Sequence, residues 1–338
     1  MKRYFLGLTL LIFVAGFAFA ISSMLSKEGE KSHPIKIGIN EWMGYDPLIL
    51  ADKEKLFERN GVSVEVKRYT SATLEMEAIK RGELDGAGFT LDEAFALIAS
   101  GFKGKIVLLV DYSMGGDMLI GQEDITDIPM LEGKKIGYEG SVVGEFLLQR
   151  ALESFRLRSG DITLVEVDAT DWLSAFKEKE VDALVCFNPV ATELLDKHLG
   201  NTLFSSADIP FEIIDVLIFS ESFYKGNTEA VSNVLNGWFD ALDYIESNLD
   251  KAADIISTEK NITSSNYKEG LAGLVHPTYA VNKEMMSAES KDNIYKRSQV
   301  VVDFMISRGL LSKRVDTAVA FSQEALALIN RRDNFEAE

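Results

Sequence analysis

Residues 35–66 constrain the fold of this chain more than any other stretch. Ile35, Ile37 and Ile39 alternate with Lys36 and Gly38, the period of two that marks a strand. A short turn follows, with Gly44 between Trp42 and Tyr45. Pro47 then stands where the first turn of a helix tolerates a missing N–H. Leu48, Leu50, Ala51, Leu56 and Phe57 recur at helical spacing, and Asn60-Gly61 supplies the chemistry of a helix end. Val62, Val64 and Val66 alternate as a second strand. This is a β-α-β unit. In open α/β sheets, ligands sit at the loops leaving the carboxyl ends of strands, so Trp42 and Tyr45 are candidates for a binding wall or, alternatively, plugs between loop and helix.

The pattern continues. Residues 71–81 have helical spacing, 84–89 read as a short buried strand, and Thr90 with Glu93 forms a capping box for the next helix. Thr90 therefore serves as a cap, a ligand contact at a strand end, or both. Residues 106–110 form a strand running into Asp111-Tyr-Ser113, and 118–121 form another. After a polar connector at 122–129, a second strand-turn-helix block begins near Leu131. It includes Gly140-Ser141, a helix over 145–155, strands at 164–167 and 181–187, and Asn188-Pro189 opening a further helix. Strands at 202–205 and 216–219 lead back. The remainder is helical: 231–248, 251–257, 265–272, 292–308 and 316–330.

Taken in order, these segments resemble the periplasmic substrate-binding proteins of ABC importers, in the nitrate/sulfonate/taurine and thiamine-precursor branch. The resemblance rests on the Trp42-x-Gly44-Tyr45-x-Pro47 loop and on Gly82-Glu-Leu-Asp-Gly-Ala-Gly-Phe-Thr90. It extends through Asp111-Tyr-Ser-Met-Gly-Gly-Asp117, Leu131-Glu-Gly-Lys-Lys-Ile-Gly137 and Glu180-Val-Asp-Ala-Leu-Val185, and so covers residues 35 to about 256. It implies an α/β fold of the two-lobed type II binding-protein class, each lobe a mixed sheet flanked by helices, with a ligand cleft between lobes. Lobe 1 is expected at 35–121 plus 217–329, lobe 2 at 122–216, and a tail at 330–338. The expected partners are a small-molecule ligand and a permease–ATPase complex at the inner membrane. The protein itself is expected to be a monomer.

Composition agrees with a folded, exported protein. The 338 residues are 46% hydrophobic and 26% charged, enough apolar material for sizeable cores. A net charge of −18 makes nucleic acid a poor partner, because phosphate contacts need basic patches. Residues 1–20 combine Lys2 and Arg3, an apolar run and the small-x-small end Ala18-Phe-Ala20, which is signal-peptide architecture, with 21–34 as a leader. An uncleaved anchor is the alternative. Location in the periplasm follows from either.

Catalytic and metal motifs are missing from the sequence. There is no H-E-x-x-H, C-x-x-C, P-loop or G-x-S-x-G pattern, and Cys186 sits alone in an apolar strand. The family's relatives include a pyrimidine-synthesising enzyme, but its cysteine-rich motif and active histidine have no counterpart here. No enzyme and no cofactor are expected. The remaining candidate contacts lie at strand-to-helix turns. Asp111 and Asp117 flank Ser113-Met-Gly-Gly, and each is a ligand contact or a turn cap. Ser141 and Glu145 stand at a helix start, where a cap and an anion site are alternatives. Asn188 is a ligand-facing amide or a cap. Asp215, a carboxylate in an apolar run, needs a partner or a function. The cleft loops hold Glu41, Asp46, Asp111, Asp117, Glu139, Glu145 and Asp215 and no lysine or arginine. They suit a neutral-to-cationic nitrogenous ligand better than nitrate or a sulfonate.

Overall fold

The alternating strand signals of the sequence assemble into two mixed sheets. The structure is a computed structural model that describes residues 33–291 and 293–331. The expected signal peptide, all but the last two residues of the leader, and most of the tail lie outside the described residues. In chain order the strands are β1 Ile35–Ile39, β2 Val64–Arg68, β3 Gly86–Thr90, β4 Gly104–Ser113, β5 Asp117–Gln122 and β6 Lys135–Tyr138. They continue with β7 Thr163–Glu166, β8 Ala183–Phe187, β9 Gly200–Ser205, β10 Ile214–Ser220 and β11 Leu274–Val275.

The first sheet has the order β11-β4-β10-β3-β1-β2 and the second β7-β6-β8-β5-β9. In the first, β1 runs parallel to β2 and β3, whereas β10 is antiparallel to both β3 and β4. In the second, β6 runs parallel to β7 and β8, whereas β5 is antiparallel to β8 and β9. Each sheet thus receives its antiparallel inner strand across the boundary: β10 returns from the second block and β5 arrives from the first. The two blocks seen in the sequence share one topology.

Side-chain alternation explains the cores. In the second sheet Leu119, Ile136 and Val185 pack on one face, and Ile120, Leu184 and Cys186 on the other. The first sheet is wrapped by longer helices, chiefly Thr228–Ser247 and Ile294–Ser307, and its buried residues form one continuous cluster that includes Trp238, Tyr267 and Phe95.

Several expectations change. The helix after Pro47 breaks into Asp46–Lys53 and Leu56–Arg59, because Lys55 takes a left-handed turn (φ 57°). The expected 316–330 helix is two short pieces, Thr317–Ala320 and Glu324–Ala327, because Phe321 leaves the helix to bridge to Ile106 of β4. Asp111, Ser113 and Asp215 lie inside strands that run longer than their apolar cores. Strand β5 pairs in the second sheet and β10 in the first, so the chain crosses at about 114–116 and 206–213 rather than after Gly121 and Val216. The crossings touch: Gly115 N donates to Ser206 Oγ (2.6 Å), and the hydroxyls of Ser113 and Ser206 are 2.7 Å apart. Gly115 has φ 98°, a backbone that side-chain-bearing residues rarely adopt.

Candidate functional site

The carboxyl ends of β1, β3, β6 and β8 and the opening residues of β5 converge on a cavity of about 300 Å³. This is where open α/β sheets bind ligands. From the first sheet come Trp42, Thr90, Glu93 and Asp215; from the second come Asp117, Glu139, Ser141, Trp172 and Phe187.

Each wall is held by a local device. Trp42 N donates to Asn40 Oδ1 (2.9 Å), turning the chain sharply after β1. The Trp42 ring then donates from Nε1 to Asp111 Oδ2 at 3.0 Å. Gly44 makes that contact possible, since a Cβ there would stand 1.7 Å from Asp111 Oδ2. Trp42 also meets Phe187 edge to face, 5.7 Å between centroids and 90° between planes, and Phe187 meets Trp172 at 4.9 Å and 84°. The Trp42–Phe187 contact joins the loop after β1 to the end of β8, and hence one sheet's side of the cavity to the other's. Thr90 N donates to Glu93 Oε2 (3.1 Å), and Thr90 lines the cavity. Ser141 accepts from Gly144 N (3.3 Å) and caps the Val142–Ser154 helix.

The cavity brings together five of the sequence candidates: Trp42, Thr90, Asp117, Ser141 and Asp215. The other five stand behind its wall or beside it. Tyr45 is fully buried, and its hydroxyl donates to Asp215 Oδ1. Asp111 is fully buried beneath Trp42. Ser113 binds Ser206 and accepts from Asp117 N (3.2 Å) at the crossing. Glu145 lies one turn along the helix that Ser141 caps. Asn188 Oδ1 accepts from the Thr192 hydroxyl (2.7 Å) and from Thr192 N (3.2 Å), so it caps the first turn of the Val190–Asp196 helix across the intervening Pro189. Sequence reasoning missed Glu93, Trp172 and Phe187 as cavity residues. The signal for Phe187 was its place at the end of a strand; Glu93 was read only as a cap and Trp172 only as the start of a helix.

The electrostatics are one-sided. Glu41, Glu93, Asp117, Glu139 and Asp215 line the cavity, and among the described residues no lysine, arginine or histidine does. Burial pushes Asp117 up to about 6 and Glu139 up to about 7, with the charge of Asp168 adding to the latter. Burial also raises Asp215, Asp111 and Glu93 well above the ordinary carboxylate range, each pushed further by an acidic neighbour. Nearby cations are paired: Lys260 Nζ with buried Asp46 (3.0 Å), and Arg68, itself outside the lining, with the cavity-lining Glu41 (2.9 Å). His276 bonds Gly44 O (2.9 Å), and burial lowers it to about 4, so it is neutral. The Cys186 thiol is buried, and burial pushes its pKa up, so it is held protonated. Among the described residues no histidine, cysteine, aspartate and glutamate groups are arranged to hold a metal ion. None of their helices is long and apolar enough to cross a membrane.

Two mixed α/β sheets facing each other across a carboxyl-end cavity define a protein of the two-lobed periplasmic binding-protein fold. The alkanesulfonate-binding protein SsuA of Xanthomonas axonopodis pv. citri, solved with MOPS bound, superposes with a TM-score of 0.73 at 17% identity. That match covers 87% of this chain and 99% of the other. The NMT1-like family model matches residues 28–258, more than half of the chain, and the chain belongs to that family. A Brucella abortus relative named only as a binding protein is 24% identical over 295 residues, 86% of each chain. A Bacillus subtilis relative named as an aliphatic sulfonates-binding protein is 24% identical over 288 residues, 83% of each.

Proposed function

We propose that this chain is the solute-binding component of an ABC importer, capturing a small organic solute between its two sheets and presenting it to a permease. The cavity lined from both sheets carries this reading, because a ligand there stabilises the closed arrangement through contacts it makes only when the lobes meet. The lobes are 35–113 with 214–331, and 117–205, hinged at the two touching crossings. No step of covalent chemistry is assigned to the site. Export to the periplasm and monomeric behaviour complete the reading.

Small-angle scattering with and without a solute found by thermal shift tests it. The radius of gyration falls on binding; an unchanged radius rejects the hinge. A sulfonate is the second reading. The N-terminus of the 13-residue Val142–Ser154 helix, with Ser141 and Val143 on the cavity wall, favours it, since helix N-termini attract anions. Against it stand Glu139 beside that N-terminus and Glu145 in the first turn. An amine, amidine or aminopyrimidine fits the acidic lining better.

A further inference from the structure

Strand pairing places three of the site's polar residues side by side. Asp215 of β10 is the register partner of Asp111 on β4 and of Thr90 on β3. Like charges opposite one another on neighbouring strands repel, and burial weakens the screening between them. Asp215 is 2% exposed, lines the cavity, and receives the Tyr45 hydroxyl on one of its oxygens. Asp111 Oδ1 is buried without a hydrogen-bond partner among the described residues.

The neighbouring elements add only more acid. Asp92 and Glu93 face the cluster from the Leu91–Ala99 helix, and Glu75 from the Ala72–Lys80 helix. Asp117 faces it from β5, and Glu139 from beyond β6. Lys260, Arg68 and His276 are engaged as described above. Burial and mutual repulsion in such a cluster favour the neutral carboxylic acid form in its most deeply buried members while the cavity is empty.

We propose that the cleft takes up its solute as an organic cation in exchange for protons. Each positive charge that enters is matched by a carboxylic acid O–H that ionises, and its proton leaves to solvent. The inference rests on the solute-binding reading and deepens it by naming the charge of the solute. Affinity then rises with pH, up to about tenfold per pH unit for each displaced proton, across the window in which the acids titrate.

Two measurements decide it. Thermal melting of the solute-free protein reads the protons directly: the midpoint rises as pH falls from 8 to 5, and D215N and E93Q raise the midpoint at pH 8 and flatten that slope. A flat or opposite slope in the wild type overturns the exchange, whichever solute is found. Calorimetry of 1,4-diaminobutane, acetamidine and methanesulfonate in buffers of different ionisation enthalpy reads the solute. Binding of a cationic probe with buffer-dependent heat corresponding to released protons supports the exchange. Buffer-independent heat overturns it. Binding of methanesulfonate alone overturns the cation while leaving the solute-binding reading intact.

Discussion

The two sides of the cavity are built on the same topology but hold their acids differently. On the first sheet's side the acids are buried and held by rings: Asp215 by the Tyr45 hydroxyl and Asp111 by the Trp42 indole. On the second sheet's side Glu139 is half-buried at the end of a strand, and Ser141 is committed to capping its helix. Only Asp117, where the chain has just crossed, is buried as its counterparts are. The contrast teaches that the first sheet's side fixes buried acids with ring donors, while the second sheet's side contributes chiefly the aromatic edges of Trp172 and Phe187.

Substitutions can break this contrast, and the largest effect is expected at Gly44. Any side chain there collides with Asp111 and the Trp42 indole, so Gly44→Val should cost roughly 2–4 kcal/mol in urea unfolding and abolish solute binding. Wild-type stability in that variant would show that the Trp42–Asp111 anchor is dispensable. Tyr45→Phe removes the donor that supports Asp215 and should cost about 1–3 kcal/mol. Its penalty grows with pH, because ionised Asp215 needs the hydroxyl most; a penalty that shrinks toward pH 8 contradicts the assignment.

On the second sheet's side the effects are smaller and local. Ser141→Ala loses one cap, about 1 kcal/mol, and hydrogen exchange should speed up in the Val142–Ser154 helix but not in β1 or β3. Equal acceleration in both sheets would erase the distinction between the two walls. Glu139→Gln is the mildest change. Folding raises this carboxyl to about 7, so its stabilising contribution is complete below pH 4 and lost as pH rises through 7. The variant should therefore melt higher than wild type at pH 8 and level with it at pH 5, by less than about 1 kcal/mol because the group is partly solvated. A difference that is largest at pH 5 refutes the shift.

Local regularities carried most of the architecture. The period-two run at 35–39 and the continuous apolar runs at 183–187 and 216–219 marked strands, because a half-buried or buried strand must alternate or stay apolar whatever it pairs with. The Thr90–Glu93 pair and Ser141 marked helix starts, because their partners lie three residues away in the same chain. The acidity of the cleft loops was also visible, since charge is a property of composition.

Tertiary structure decided what those residues face. Nothing within a few residues of Tyr45 indicates that its hydroxyl ends on Asp215, 170 positions later; that contact exists only because β10 inserts beside β3. The same insertion turned Tyr45 from an expected wall into a support, and set Asp111 against Asp215 on adjacent strands. Trp172 and Phe187 became cavity walls because the two sheets meet there. Sequence by itself determined the elements and the sign of the charge, both local sums. Which side chains meet in the cavity was settled by strand exchange between the sheets, a long-range pairing that no local pattern encodes.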